Sequence, residues 1–425
     1  MWDVAVVGLG GVGSFALRSL ARRSSASSLR IIGLERFHIG HDKGSSHGGT
    51  RIYRHAYFEH PDYVPLLKYS TAVFQTLQRE MKRPIIEQCG NLIIERRRRS
   101  KQSSGSTATP IIDACLESAS RHSIEVELID DHKELQRRYP QFQFDRDHIG
   151  MIEPGGGYVR PEAAVQAAID DAVGHGAAIQ EGIKVDSIVE MKNNQSQEDD
   201  HVVIQATSKD GEKQIIKARK VIVAGGPWAG QLLPQWSKYL RVTKQVQAWI
   251  DVGQLNSNSE LLVYDPSMMP TWIREENEDV SDDHTSQPML YGFPCDPLSH
   301  NPSWMKIALH GRNDPVNADD MMISGSRDVS VAELDELRVA AAPFLQGISP
   351  DQKFVHAETC LYTCSPDENF LVGQPHGHHH VVAAAGLSGH GFKMTPGLGR
   401  ALADMTVDGK TDLPIDFLCP SRFER

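Results

Sequence analysis

The stretch Val4-Ala-Val-Val-Gly-Leu-Gly-Gly-Val-Gly13 decides how this chain begins to fold. Its apolar run predicts a buried strand, and Gly8, Gly10 and Gly13 follow in the pattern G-x-G-x-x-G, ahead of a helix-like segment at 14–22. Glycine permits a tight turn and a close approach to a pyrophosphate, which binds at the positive end of the helix. The stretch predicts a dinucleotide site; the alternative is an ordinary strand–turn–helix unit without a ligand.

An acidic residue supports the dinucleotide interpretation. A second predicted strand, at 29–34, ends at Glu35, near the usual spacing after Gly13. In dinucleotide-binding folds, a carboxylate at this place binds a ribose hydroxyl. Strand, glycine turn, helix and acid therefore occur in the order that the site requires.

Composition limits the classes of partner. The 425 residues give room for two or three domains of roughly 150 residues each. A net charge of −11 argues against nucleic acid, and the absence of an 18-residue apolar stretch argues against a membrane span. The first strand begins almost at once and the six cysteines show no framework spacing, so we expect a cytoplasmic protein without a signal peptide. The histidine-rich turn at 376–380 lacks a second cluster, so no metal site is expected.

The pattern of predicted elements indicates two interleaved domains in an α+β fold. The ends of the chain have α/β character, whereas strands and irregular loops dominate from residue 242 onward. We expect an α/β nucleotide domain at 1–88, 153–232 and 365–425, and an antiparallel-sheet substrate domain at 89–152 and 233–364. Helices are predicted at 63–79, 111–121, 131–138, 160–174 and 334–345, and a hairpin at 185–191 and 202–206.

A second glycine turn lies late in the sequence. Gly386-Leu-Ser-Gly-His-Gly-Phe-Lys393 follows an apolar run, so Gly389 and Gly391 would bring backbone N–H groups close to a ligand. Lys393 adds a fixed cation. Together with the first glycine turn, this predicts a flavin site closed by both parts of the chain.

Two predicted strands carry side chains that could take part in chemistry. Period-two geometry places Lys306 and His310 on one strand face, and the pattern alone favours a solvent-exposed face over the floor of a polar cleft. Cys360, Tyr362 and Cys364 likewise share a face. Each cysteine could fill the core or be a reactive thiolate, and the pattern does not choose between them.

Two arginines lie in a segment rich in glycine and histidine. Arg51 and Arg54 belong to Ser46-His-Gly-Gly-Thr-Arg-Ile-Tyr-Arg-His55. Guanidinium groups in such a setting suit recognition of a carboxylate or a flavin, and the alternative is a basic surface turn.

The chain resembles the sarcosine oxidase family of flavin amine oxidases almost from end to end. The most specific blocks are Ser46–Ala56, Tyr291–Pro294, Cys360–Phe370 and Gly386–Lys393. The resemblance implies a glutathione-reductase-like FAD-binding domain. It also implies oxidation of N-methyl or cyclic amino acids to an imine that hydrolyses, with dioxygen reduced to hydrogen peroxide.

The resemblance implies a role for particular residues. Cys360 corresponds to the cysteine joined to the flavin by a thioether, and Lys306 to the lysine that activates dioxygen. Arg54 and Lys393 correspond to the pair that binds the substrate carboxylate. The implied catalytic residues are Lys306, Arg51, His310, Tyr291 and Tyr362. The implied cofactor-binding residues are Gly8, Gly10, Gly13, Glu35, His47, Thr50, Arg51, Cys360, Gly389, Gly391 and Lys393.

Departures and rival functions accompany this interpretation. Gly49 stands where the family has an acidic residue, and the segment 295–304 is longer than expected. Rival functions are a fructosyl amino acid oxidase, a flavin amino-acid dehydrogenase, a non-catalytic flavin-binding subunit and an NAD dehydrogenase. The expected partners are a small amino-acid substrate and dioxygen, bound by a monomer.

Overall fold

The computed structural model describes residues 1–27, 29–97, 109–191, 200–254, 263–275 and 289–423. Within them the helices are α1 (Gly11–Ser27), α2 (Val64–Met81), α3 (Ile111–His122), α4 (His132–Arg138), α5 (Pro161–Gly174), α6 (Ala229–Leu232), α7 (Val331–Ala341) and α8 (Thr395–Asp408). The strands are β1 (Trp2–Val7), β2 (Ile31–Leu34), β3 (Arg51–Tyr53), β4 (Ile86–Gln88), β5 (Asn91–Arg96), β6 (Glu127–Ile129), β7 (His148–Glu153), β8 (Gly157–Val159), β9 (Ala178–Gln180), β10 (Ile183–Met191), β11 (His201–Ser208), β12 (Lys213–Val223), β13 (Arg241–Asp251), β14 (Thr271–Glu275), β15 (Met289–Gly292), β16 (Trp304–His310), β17 (His356–Cys364), β18 (Leu371–Gly373) and β19 (Val381–Ala385).

The first sheet has a parallel centre. Strands β9, β2, β1, β12 and β19 run parallel to their neighbours, and β10, β11 and β18 extend the sheet with antiparallel pairs. The carboxyl ends of parallel strands meet at one edge, which is where open α/β sheets bind ligands. The first turn, Glu35 and the turn at Gly386 all follow strands that end at this edge.

Helices cover this sheet with an apolar core. Leu17 and Leu20 of α1 pack with Leu398 and Leu402 of α8, and with Val6 of β1, in one buried cluster. Burying each such side chain stabilises the fold by about 1.5–3 kcal/mol, which holds both helices against the strands.

One face of the second sheet packs against an apolar core, and the other face is polar. Its order is β17-β13-β16-β15-β14-β5-β7-β6, and every neighbouring pair is antiparallel except β14 and β5. Met305, Ile307 and Leu309 of β16 pack into the core with Trp272 and Phe344. The alternate residues of β16 therefore face the opposite way, toward the first sheet's ligand edge.

A small third sheet contains three short strands. Strand β8 pairs with β3 and β4, and β3 begins at Arg51. Pairing with β8 thus fixes the backbone of the segment that carries the predicted arginines.

Most predicted elements are confirmed with small shifts of their ends. The hairpin is confirmed as β10 and β11, which pair antiparallel. The helix predicted at 334–345 begins earlier, at Val331, because Ser330 and Glu333 form a reciprocal capping box. Among the described residues, no helix combines the length and apolarity needed to cross a membrane. The domain boundaries stay a prediction.

Candidate functional site

The first glycine turn forms one wall of a large cavity at the carboxyl edge of the parallel strands. Gly8 has a φ of +84°, and a Cβ there would lie 2.5 Å from the Ala224 carbonyl oxygen. Gly8 and Gly10 line the cavity. Gly13 does not line it, but a Cβ at Gly13 would lie 1.7 Å from the Gly8 carbonyl oxygen, so glycine is needed for α1 to start close to the turn.

Glu35 is held in place at the end of β2. Its two carboxylate oxygens accept hydrogen bonds from the backbone N–H groups of Leu9, at 2.8 Å, and Phe37, at 3.0 Å. His41 Nε2 lies 3.3 Å from Oε1. Burial would raise the pKa of Glu35, but His41 and the two N–H groups lower it on balance. Glu35 is thus an ionised acceptor on the wall of the cavity.

The second glycine turn forms the facing wall. Gly389 and Gly391 line the cavity, and Gly389 has a φ of +80°. A Cβ at Gly389 would lie 2.2 Å from the Tyr362 ring. This cavity has a glycine turn from each end of the chain and an ionised acid at a strand end. These features fit the pyrophosphate and ribose part of FAD.

A second, smaller cavity adjoins the first. Arg51, Tyr362, Gly389 and Phe392 line both cavities, so the two meet at these residues. The floor of the smaller cavity is the polar face of the second sheet, and the predicted residues Tyr291, His310, Cys360, Arg54 and Lys393 all line it. The structure therefore brings these residues together from distant segments of the chain.

Two buried cations mark one end of the smaller cavity. Arg54 is 2% exposed and its Nη2 donates to both oxygens of Glu59, at 2.8 and 2.7 Å. Burial would raise the pKa of Glu59, but Arg54 lowers it to about 2. Lys393 Nζ donates to the His390 carbonyl oxygen at 2.8 Å, and burial and Arg54 lower the pKa of Lys393 to about 7. This end is suited to an anion that shares the cations with Glu59.

The other end of the smaller cavity carries a thiol beside two cations. Arg51 Nη2 lies 3.5 Å from Cys360 Sγ, and His47 Nδ1 lies 3.2 Å from Glu358 Oε1. Burial would raise the pKa of the Cys360 thiol, but Arg51 and His47 outweigh it, so the pKa is lowered. Burial would lower the pKa of His47, but Cys360 and Glu358 raise it to about 9. The surroundings favour a thiolate at Cys360.

Cys364 has different surroundings from Cys360. Burial raises the pKa of its thiol, and Cys364 is absent from the described residues that line either cavity. The structure thus separates the two cysteines that the sequence pattern leaves equivalent.

The solvent-exposed face predicted for Lys306 and His310 is wrong. Lys306 is 2% exposed, and Nζ donates to the carbonyl oxygens of Gly48, at 2.8 Å, and Thr50, at 2.6 Å. Nζ also lies 4.2 Å from the centroid of the Phe293 ring, which lines the smaller cavity. Burial and Arg51 lower the pKa of Lys306 well below its ordinary value. The predicted alternation of residues along β16 is correct, but the polar face of this strand is covered by the segment at 48–50.

Besides Gly13 and Lys306, two further predicted residues lie behind the cavity walls. His47 and Thr50 are buried but line neither cavity within the described part of the chain. Each instead acts on a residue predicted to act: His47 lowers the pKa of the Cys360 thiol, and the Thr50 carbonyl oxygen accepts from Lys306 Nζ.

Two tyrosines and a histidine form the polar centre of the smaller cavity. Tyr362 Oη lies 3.4 Å from His310 Nδ1, and Tyr291 lines the same cavity. Burial lowers the pKa of His310 to about 4, and burial raises the pKa of both tyrosines. The three side chains are therefore neutral near pH 7.

The sequence analysis missed several residues that line the smaller cavity, and three of the polar ones bear on its chemistry. These are Gln245, Gln247 and Glu59. The two glutamines alternate with Val246 on β13, so the period-two pattern could have indicated a polar face. Glu59 has no comparable signal, because its role depends on the folded position of Arg54.

The two departures from the family pattern have structural compensation. Gly49 N–H donates to Glu162 Oε1 at 3.1 Å, so α5 supplies a carboxylate to this loop. In the longer segment at 295–304, Asp296 accepts from Arg160 Nε at 2.8 Å and Nη2 at 2.7 Å, and from Tyr158 Oη at 3.2 Å. The start of that segment is anchored to the third sheet.

Comparison with solved structures shows the fold. NikD, described as an unusual amino acid oxidase essential for nikkomycin biosynthesis, superposes with a TM-score of 0.75 at 22% identity, covering 99% of this chain and 97% of that chain. L-proline dehydrogenase from P. horikoshii gives a TM-score of 0.74 at 19% identity, covering 100% and 98%. The mixed α/β architecture is thus shared with these two proteins, and it is not a barrel.

Comparison with known sequences shows the family. Monomeric sarcosine oxidase from Streptomyces avermitilis is 30% identical over 99% of this chain and 97% of that protein. N-methyl-L-tryptophan oxidase from Escherichia coli is 27% identical over the whole of both. The family model described as DAO, FAD dependent oxidoreductase, matches residues 3–405. The two cavities, the two glycine turns and this match lead to one conclusion: the chain belongs to the DAO family of FAD-dependent oxidoreductases.

Proposed function

We propose that the chain is an FAD-dependent oxidase of secondary amino acids, N-methyl or cyclic, that forms an imine and hydrogen peroxide. The observation that carries the proposal is the placement of two buried cations, Arg54 and Lys393, in a cavity that joins the dinucleotide cavity at Arg51. The names of the relatives, a sarcosine oxidase and an N-methyl-L-tryptophan oxidase, support this class of substrate.

The chain's own residues would bind and orient the substrate. A carboxylate at Arg54 and Lys393 would place the amine toward Tyr362 and the Arg51 end of the cavity. Fixing the substrate at one end reduces the entropy lost on reaching the reactive geometry. The neutral His310 and Tyr291 complete a wall that excludes water without adding charge.

FAD fits the larger cavity, and Gly8, Gly10, Glu35, Gly389 and Gly391 would hold it. When bound, FAD accepts a hydride equivalent from the substrate and is reoxidised by dioxygen. Cys360 would provide the covalent thioether attachment, because it lines the smaller cavity beside Arg51, where the two cavities meet. Lys306 would act on dioxygen through its positive charge, because its Nζ lies 4.2 Å from the ring centroid of Phe293, which lines the smaller cavity.

The test is a substrate panel measured for hydrogen peroxide. The panel pairs each N-methyl or cyclic amino acid with the amine that lacks the carboxylate and with its primary amino-acid counterpart. We expect peroxide only from secondary amines that carry the carboxylate. Turnover with an artificial electron acceptor but without peroxide would make the protein a dehydrogenase, and activity on fructosyl amino acids alone would replace the proposed substrate class. We also propose a cytoplasmic monomer, which size-exclusion chromatography tests for its oligomeric state.

A further inference from the structure

Gln247 lies at the end of the smaller cavity that contains Arg51. On β13 it pairs with Ala308 of β16 and with Glu358 of β17. It is 3% exposed and lines the cavity. A neutral side chain thus lies among the charges of Arg51, Lys306 and Glu358.

The orientation of the Gln247 amide is fixed by its chemistry. Arg51 Nη1 donates to Gln247 Oε1 at 3.2 Å, and a guanidinium can only donate, so the atom facing it must be the oxygen. The amide nitrogen, Nε2, is buried and has no partner among the described residues. A buried donor without an acceptor is costly, so the amide keeps this orientation only because Oε1 is needed by Arg51.

The same contact determines where the Arg51 guanidinium lies. Its other acceptors are the carbonyl oxygens of Thr50 and Ser45, and Cys360 Sγ. Among the described residues, Gln247 therefore supplies the side-chain oxygen to which Arg51 donates a hydrogen bond. A Cβ at Gly48 would lie 2.7 Å from Gln247 Oε1, so the loop closes tightly over this pair.

We infer that Gln247 is a positioning residue: Oε1 holds the Arg51 guanidinium at the flavin end of the cavity. The inference rests on the proposed function, because it requires a flavin beside Arg51. A fixed, incompletely neutralised cation there stabilises negative charge on the bound group. A carboxylate at position 247 would neutralise Arg51 and would also turn the donor into an acceptor.

The experiment uses the flavin-loaded protein and two variants of matched length, Gln247→Glu and Gln247→Met. Sulfite is the probe, since its binding to an oxidised flavin depends on nearby positive charge and is followed from the loss of visible absorbance. Gln88→Glu, at an exposed position on β4, controls for added negative charge. The flavin midpoint potential is measured on the same samples.

We expect sulfite to bind at least tenfold more weakly to Gln247→Glu than to the wild type, and about threefold more weakly to Gln247→Met. A tenfold change corresponds to about 30 mV in a two-electron couple, so the midpoint potential of Gln247→Glu should fall by at least that amount. Gln88→Glu should match the wild type.

Sulfite affinities within twofold of wild type in both variants, with flavin bound, would overturn the inference. So would a higher KM with unchanged sulfite affinity and potential, which would make Gln247 a substrate contact. If Gln247→Glu fails to fold, Gln247→Met alone decides. A wild-type protein that binds no flavin would instead overturn the proposed function, and the inference with it.

Discussion

Arg54 is buried and forms an ion pair with the half-buried Glu59, in which one guanidinium nitrogen, Nη2, donates to both carboxylate oxygens. Because Arg54 lowers the pKa of Glu59 to about 2, the carboxylate stays ionised at all working pH values. Under the proposed function, Glu59 would therefore compete with a substrate carboxylate for Arg54. Arg54 Nε has no partner among the described residues, so the guanidinium still has a donor to offer.

Replacing Glu59 should strengthen carboxylate binding and weaken the free protein. In Glu59→Gln, benzoate should bind at least tenfold more tightly. A charged hydrogen bond is worth about 1.5–3 kcal/mol, and the neutral amide would compete less strongly than the Glu59 carboxylate for Arg54. The free protein should melt at a lower temperature, since Arg54 loses its counter-ion, and benzoate should restore part of the loss. Titration calorimetry and thermal melts measure both, with Glu134→Gln on α4 as the control. Unchanged benzoate affinity would contradict the competition.

Carboxylate binding should depend on pH through Lys393. Burial and Arg54 lower its pKa to about 7, and the carboxylate requires the charged form. Affinity should be constant below pH 7 and fall up to tenfold per pH unit above it, as binding must then take up a proton. Lys393→Met should bind weakly with no such slope; a persistent slope would move the titration to another group.

The same shift in Lys393 has a consequence for stability. The folded pKa, about 7, lies below the ordinary value of 10.5, so the unfolded chain binds more protons between these values. The contribution of Lys393 to the free energy of unfolding should therefore rise with pH across that window. Chemical denaturation of wild type and Lys393→Met at pH 7 and pH 10 measures the difference. A stability difference between the two proteins that does not change with pH would contradict the assignment.

The flavin should be attached at Cys360. Acid precipitation of the wild type should leave a yellow pellet, and Cys360→Ala should release the colour into the supernatant. Cys364→Ala is the matched control, because its thiol has a raised pKa and lines neither cavity in the described residues. A colourless wild-type pellet would show that the cofactor is bound without a covalent bond.

Lys306 should serve the reaction with dioxygen. Lys306→Met should slow reoxidation of the reduced enzyme by at least tenfold while leaving anaerobic reduction by substrate within a fewfold, because superoxide is negative and the amine step gains little from the charge. Because burial and Arg51 lower the pKa of Lys306, reoxidation of the wild type should also slow as pH rises through that pKa. Stopped-flow measurement of both half-reactions decides; equal slowing would place Lys306 in substrate binding.

Local patterns predict the first turn and much of the fold. The order of strand, glycine turn, helix and acid up to Glu35 depends on neighbouring residues, so the sequence carries it directly. The helix at Val331 shows the limit of periodicity, since the capping pair Ser330 and Glu333 marks its start better than the apolar spacing does.

The site is harder to predict because sheet register determines it. Alternation identifies which residues of β16 share a face, but it does not say whether the face meets solvent or the segment at 48–50. Gln247 becomes part of the site only because β13 lies between β16 and β17. Contacts of this kind join residues far apart in sequence, and a single strand pattern does not encode them.

The two glycine turns that face each other across the larger cavity have a consequence for biosynthesis. One wall is made at residues 8–11 and the other at residues 384–395. A ribosome-bound chain therefore has no complete cavity until residue 395 has been synthesised, even if its first strands have already paired. Cofactor uptake must be a late event, and any fragment that stops before the second turn would lack the dinucleotide cavity's facing wall.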